Sequence, residues 1–354
     1  MDTIEIRLNL KKGLNLDVQI INQLREYITS IISNRNYRYC DVLEISKTGN
    51  LIVKISYPRY FAGTNAYLIT KKSECFEVQS HFINTIFNIP NWASIIENIT
   101  LTRVDIPFTY LMQSNETFGS YEKIYYIFAH VYHTKKANTR TKGYIDLINR
   151  NYETLIYSPN GSAGKNYNNR LEIYNQFLNL QNKLDEEIWK DVIELYVDLP
   201  YRIRMEVSKR IRLRRNFSPV EFINLDILGF YFEDYKNYIL KNFLDFSIID
   251  NLYNHWASEL SQELIQARAK KGFTYGEFIY QNNILIYDYE IVRRALGLAI
   301  DNISTRENAI TRVRKILMDY EKNNNIILMD TYGTLKRIES QIIGEYISNW
   351  CLET

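Results

Sequence analysis

Tyr201-Arg202-Ile203-Arg204-Met205-Glu206-Val207-Ser208-Lys209-Arg210-Ile211-Arg212-Leu213 alternates apolar and polar side chains with a period of two. Successive side chains on a strand point to opposite faces. Ile203, Met205, Val207, Ile211 and Leu213 therefore fall together, and Arg202, Arg204, Glu206, Ser208, Arg210 and Arg212 fall opposite them. Lys209 is the single charge on the apolar side. Two earlier stretches repeat the pattern. In 101–108, Thr102, Val104, Ile106 and Phe108 share a face while Arg103 and Asp105 take the other. In 170–177, Leu171 and Ile173 oppose Arg170, Glu172 and Tyr174. If the three strands share a sheet, one face packs on helices and the other gathers carboxylates, arginines and a tyrosine.

The surrounding chain supplies the rest of such a fold. Residues 4–8 read as a strand, 17–32 as a helix behind Asp17, and 41–46 and 51–57 as strands around a Thr48-Gly49-Asn50 turn. Residues 80–97 read as a helix interrupted by Pro90. Residues 124–132 read as a strand, followed by a basic stretch at 134–143. A strand at 153–157 precedes a Gly/Asn/Ser loop at 158–169, and a polar helix follows at about 181–197. After Arg215 the character changes: 218–350 reads as mainly helical, starting at Ser218-Pro219. The expected fold is α+β, an antiparallel sheet with helices on one face and a polar catalytic face, then a mainly helical C-terminal part. The expected domains are 1–215 and 216–354.

Composition narrows the classes of function. The net charge is only +2, so affinity for nucleic acid has to come from a local concentration of Lys and Arg. The segment 201–215 is such a concentration, with Arg202, Arg204, Lys209, Arg210, Arg212, Arg214 and Arg215 around the single acid Glu206. Tyrosine is abundant alongside Asn, Ile and Lys, as an AT-rich gene produces, so its abundance alone points to nothing. Cys40, Cys75 and Cys351 are scattered, which argues against a disulfide framework or a cysteine zinc site. No apolar run has the length of a membrane helix, and the opening residues lack a signal-peptide core. The expected compartment is a reducing cytoplasm, with no membrane partner.

The polar face suits phosphodiester chemistry. Asp105 and Glu206 offer oxygen ligands to a hard divalent cation, Mg2+ or Mn2+. Arg103, Arg170, Arg202, Arg204, Arg210 and Arg212 offer paired hydrogen bonds to phosphate oxygens. Tyr174 is a nucleophile suited to an enzyme that stays covalently attached to one DNA end. A plain solvated sheet face has the same alternation, and that reading stays open at this stage. So does a charged face that binds a partner protein. His130 and His133, three apart on a strand, would point to opposite faces, which disfavours joint metal binding. The loop Ser158–Lys165 lacks the spacing of a phosphate-binding loop. Residues 306–320, with Arg312, Arg314 and Lys315 among apolar positions, fit either half of a helix-turn-helix or an amphipathic helix packed on the catalytic domain.

At these same segments the sequence resembles the gene II-type rolling-circle replication initiators of filamentous phages and, more distantly, a group of plasmid initiators. The carriers are Thr102-Arg103-Val104-Asp105-Ile106-Pro107-Phe108, Asn169-Arg170-Leu171-Glu172-Ile173-Tyr174 and Tyr201-Arg202-Ile203-Arg204-Met205-Glu206-Val207, in that order, with the opening Asp2-Thr3-Ile4-Glu5-Ile6-Arg7-Leu8. The likeness covers roughly residues 1–215. It implies a metal-dependent tyrosine endonuclease that nicks single-stranded or supercoiled origin DNA in a bacterial cytoplasm and works with a host helicase and polymerase. It places the nucleophile at Tyr174 and active-site acids at Asp105 and Glu206. The chain departs from the plasmid group where a lysine and a glutamate follow the tyrosine; Gln176 and Asn179 stand there instead. A non-catalytic DNA-binding descendant is the alternative.

Overall fold

Three segments far apart in the chain meet edge to edge: β1 (Thr3–Leu10), β4 (Ile96–Leu111) and β8 (Arg202–Arg210). The computed structural model describes residues 2–11, 19, 22–23, 25–27, 40–45, 51–69, 71–87, 92–112, 119–137, 144–147, 154–158, 169–211, 225–282, 288–324 and 330–345. Among these, β2 (Cys40–Ile45), β3 (Leu51–Ser56), β5 (Tyr144–Leu147), β6 (Thr154–Ser158) and β7 (Asn169–Asn175) complete one antiparallel sheet. Its order is β2-β3-β1-β4-β8-β7-β6-β5. The α+β class and the antiparallel sheet agree with the sequence reading. The candidate helix at 17–32 lies mostly outside the described residues, and those described between 19 and 27 are helical.

The chain divides into two compact units. One comprises 1–112, 140–239 and 343–354, and the other 113–139 and 240–342. These units are cut differently from the expected domains 1–215 and 216–354. Residues 124–132, expected as a strand, belong to α4 (Gly119–Ala137). The helices before it are α1 (Tyr57–Ala62), α2 (Lys72–Phe87) and α3 (Trp92–Ile95). Ile124, Tyr125, Ile127, Phe128, Val131 and Tyr132 are buried at helical spacing. Their aromatic and β-branched composition imitates a strand. His130 and His133 therefore lie one turn apart on one side of a helix, not on opposite faces. Burial and the neighbouring His133 lower the pKa of His130.

In the sheet unit, Ile4, Ile6, Val53, Ile55, Val104, Ile106, Phe108, Ile173, Met205 and Val207 are at most 2% exposed and form the apolar side. Helix α7 (Leu225–Asn242) packs there. Tyr235 donates to the Val104 carbonyl (3.0 Å), and Phe232 stacks on Phe108 at a tilt. Lys209, the charge on this side, pairs with Asp234 and lies over the Tyr235 ring. One register shift alters the expected parity. Glu5 faces Arg103 while Ile6 faces Leu101, so Thr102 is bulged out. Thr102 leaves the apolar side, and its hydroxyl donates to the Glu5 carbonyl (3.0 Å) and carboxylate (3.1 Å).

The helical unit holds α4 and α8 (Phe246–Arg268), α9 (Tyr275–Gln281), α10 (Tyr289–Ala299), α11 (Ile303–Asn324) and most of α12 (Thr331–Gly344). The buried carboxylate of Asp288 caps α10 through the Glu290 N–H (2.9 Å). It also accepts from the Tyr253 hydroxyl (2.9 Å) and the Tyr332 N–H (2.8 Å). Burial pushes its pKa up to about 6. Asp288→Ala should orphan three donors, the capped N–H among them, lowering stability by about 2 kcal/mol. Thermal unfolding followed by circular dichroism checks this. In α11, Ala309, Val313 and Leu317 are buried at four-residue spacing, and the helix packs on α9 and α10. Its apolar stripe packs within the helical unit, whereas the sequence pattern suggests packing on the catalytic domain.

Candidate active site

The polar side of the sheet is buried rather than solvated. Asp105 and Arg204 are 0% exposed, Asp2 and Ser208 3%, and Glu5 and Tyr174 5%. A solvated face would leave these side chains in water, so that reading falls. Residues 57–69 and the helices after β7 close over part of this side. Helix α1 ends at Gly63, whose φ of 78° turns the chain where a side chain would be strained. Strand β7 stops one residue after Tyr174. Asn175, 2% exposed, accepts the Leu178 N–H (3.2 Å) and caps α5 (Gln176–Gln181). The strand expected to run to Phe177 therefore ends at Asn175. Ala66, Leu180 and Leu199 join Val192 of α6 (Glu186–Leu195) in a small core beside the sheet.

Register fixes which side chains meet. Tyr174 pairs with Arg204, Glu172 with Glu206 and Arg170 with Ser208 across β7 and β8, while Asp105 pairs with Ser208 across β4 and β8. All seven share one side of the sheet. A cavity of about 350 Å³ opens there, lined by Asp2, Arg103, Asp105, Arg170, Glu172, Tyr174 and Glu206. Its wall also carries Lys54, Arg59, Asn65, Asn179 and Lys183. Tyr174, Asp105 and Glu206 thus come together as strand parity required. The Tyr174 hydroxyl donates to Glu206 Oε2 at 3.3 Å.

The carboxylates have different partners. Asp105 is held by Arg103, whose Nε lies 2.8 Å away, and by the Ser208 hydroxyl. Burial nevertheless raises its pKa, with Asp2 adding to the rise. Asp2 forms an ion pair with Arg204 at 2.7 Å. Burial opposes ionisation of Asp2, but the charge of Arg204 and a hydrogen bond with Glu206 outweigh it and hold the pKa below normal. Glu206 goes the other way: burial, then the charges of Asp2 and Asp105, push it well above the carboxylate range. Burial also lifts the Tyr174 phenol well above 10, which Glu206 and Asp2 reinforce and Arg204 opposes.

Among the described residues, the arginines expected to hold phosphate are each matched by an acid. Arg103 pairs with Asp105, Arg170 with Glu172, Arg204 with Asp2 and Arg210 with Glu5 (3.6 Å). Arg202, 5% exposed, spans Asp198 (2.7 Å) and the Ala66 carbonyl (2.5 Å). Arg202 and Arg204 are internal, so neither forms a surface. Arg212 lies outside the described residues, as do residues 138–143 and Lys165. Of the two departures from the plasmid pattern, Asn179 lines the cavity. Gln176 is 0% exposed and donates to the Asn65 carbonyl (2.7 Å).

Sequence reasoning missed Asp2, Lys54, Arg59 and Lys183. The alternation of Asp2-Thr3-Ile4-Glu5-Ile6 would have put Asp2 on the side opposite Thr3 and Glu5. It sits instead at the start of the strand, where its N–H bonds the Asp105 carbonyl (3.1 Å). Among the described residues no group of three or more His, Cys, Asp or Glu is placed to hold a metal ion. The donor set still fits a hard cation in one respect, since Glu206 and Asp2 are adjacent carboxylates on one cavity. Both aspartates are already engaged, Asp105 by Arg103 and Ser208 and Asp2 by Arg204. No helix among the described residues is long and apolar enough to cross a membrane. No protein-family model, curated protein or solved structure matches the chain.

Proposed function

We propose that the sheet unit is a tyrosine-dependent nicking and joining enzyme that initiates rolling-circle replication. The observation that carries this reading is the Tyr174 hydroxyl, hydrogen bonded to Glu206 inside a cavity lined by carboxylates and cations. The phenol oxygen attacks phosphorus, the bond from phosphorus to the 3′-oxygen breaks, and a 5′-phosphotyrosine and a free 3′-hydroxyl result. The phenol proton leaves along the hydrogen bond to Glu206, which receives it only as the carboxylate and so has first to give up the proton that burial favours on it. The departing 3′-oxygen takes a proton from solvent. Arg204, the cross-strand partner of Tyr174, favours the phenolate through its charge. Carboxylate oxygens of Glu206 and Asp2 would hold Mg2+ or Mn2+, which supplies positive charge for the phenolate and the scissile phosphate.

The test uses the full chain with labelled single-stranded oligonucleotides tiling the replicon that encodes it. On a denaturing gel, one oligonucleotide should give a covalent adduct and a shortened product with magnesium or manganese, and neither with chelator. Absence of adduct on every tile in both metals would sink the enzymatic reading. The second reading, a non-catalytic DNA-binding descendant, is favoured by one observation: Tyr174 is only 5% exposed.

A further inference from the structure

We propose that Lys54, Arg59 and Lys183 form a subsite for the phosphates of a nucleic-acid strand, holding the backbone beside the phosphate that Tyr174 attacks. The inference deepens the reading above and rests on it for the identity of the strand. Three elements deliver these cations to one cavity wall: β3, α1 and the turn after α5. They differ from the arginines of the same cavity in a single respect. Arg103 and Arg170 are each matched by a carboxylate, whereas Lys54, Arg59 and Lys183 have no ion pair among the described residues. A phosphate that recruited Arg103 or Arg170 would have to displace Asp105 or Glu172 and desolvate it. The three unmatched cations carry no such cost.

Their charges also act on one another. Burial lowers the pKa of Lys183, and Arg59 and Lys54 lower it further, with Glu206 and Asp2 opposing. Clustered like charges destabilise the unbound protein, and a polyanion relieves them. A phosphodiester strand fits better than a free phosphate, because the cations stand on the same cavity wall as a hydroxyl that can attack phosphorus. A single phosphate would satisfy the cations and leave that hydroxyl without a substrate.

The experiment measures binding of a fluorescent oligothymidylate to the full chain across a salt series, with chelator present so that no chemistry intervenes. The variant is Lys54→Gln/Arg59→Gln/Lys183→Gln. Removing three phosphate contacts should reduce the slope of log Kd against log salt by about 2. The affinity gained on moving from about 200 mM to about 50 mM salt then shrinks about 16-fold. Lys183→Gln alone, on the turn after α5, should remove about 0.7 of slope. Lys190→Gln, in an exposed pair with Glu186 on α6, should leave the slope unchanged. An unchanged slope in both subsite variants overturns the proposal, and lowered thermal stability in that case would make the cations mere counter-charges to Asp2 and Glu206. Inorganic phosphate that displaces the oligonucleotide at equal phosphate concentration would also overturn it, by showing a site for the free ion. Loss of slope without any covalent adduct keeps the subsite and removes the nicking reading. An adduct with unchanged slope does the reverse.

Discussion

Tyr174→Phe should abolish the covalent protein–DNA adduct and the nick completely while single-strand affinity stays within about twofold of wild type. The substitution keeps the ring, which is 5% exposed and packed where β7 meets β8, and deletes only the oxygen that would bond to phosphorus. Affinity should survive because the phosphate-holding charges lie on other residues. Stability should change little. The lost hydrogen bond to Glu206 is long at 3.3 Å and its net worth is about 1 kcal/mol. Its removal is offset because the variant no longer needs to bury a phenolic hydroxyl. The measurement is adduct yield on a denaturing gel beside a fluorescence titration of the same oligonucleotide. An adduct that persists in Tyr174→Phe would place the nucleophile on another tyrosine. Binding that collapses with the adduct would make the hydroxyl a contact group and undercut its role as the attacking atom.

Most of the sheet was legible because its strands alternate with a period that survives folding. Val104, Ile173 and Met205 lie on the apolar side, and Asp105, Tyr174 and Glu206 share the other, as parity alone required. Parity failed at Thr102, where a bulge inserts a residue and nothing in Thr-Arg-Val-Asp marks it. Period also failed at 124–132, where Tyr, Phe and Val are good strand formers but bury at helical spacing. The strand β5 escaped notice because four residues are too few to show alternation. The site was half legible. Its acids and tyrosine sit on strands whose side-chain directions are fixed by parity, so they could be placed. Lys54, Arg59 and Lys183 reach the cavity from a second strand, a short helix and a turn, and no local pattern links residues so far apart in sequence. Ion pairing was wholly hidden: the alternating arginines of 202–210 suggested a basic surface, yet the fold supplies Asp198, Asp2 and Glu5 to match Arg202, Arg204 and Arg210.

Asp2→Ala should cost about 3–5 kcal/mol, because it strands a buried guanidinium. Arg204 is 0% exposed, and its nitrogens make no aligned hydrogen bond among the described residues. The 2.7 Å approach of Asp2 is therefore its main compensation. Removing the carboxylate leaves a full charge in a poorly solvated place, which is far more costly than the net worth of the intact pair. The thermal midpoint of the sheet unit should fall by roughly 10 °C. The companion variant separates the charge from the contact: Asp2→Ala/Arg204→Met removes both partners and should recover most of the loss, since a buried pair is often no better than apolar packing. The pH dependence has a definite sign. Arg204 holds the folded pKa of Asp2 below the ordinary 3.8, so the contribution of the pair is complete above that value and is lost as the pH falls through the folded pKa. In Asp2→Asn that acid-side loss should disappear. Function should follow charge rather than stability. Asp2→Ala/Arg204→Met lacks both the cation that favours the Tyr174 phenolate and one of the carboxylates that would hold the metal, so it should fold and bind the oligonucleotide but form little or no adduct. Melting curves for the three variants from about pH 3 to 7, with adduct rates at neutral pH, decide the matter. An Asp2→Ala protein that melts with wild type would show that Arg204 is compensated elsewhere.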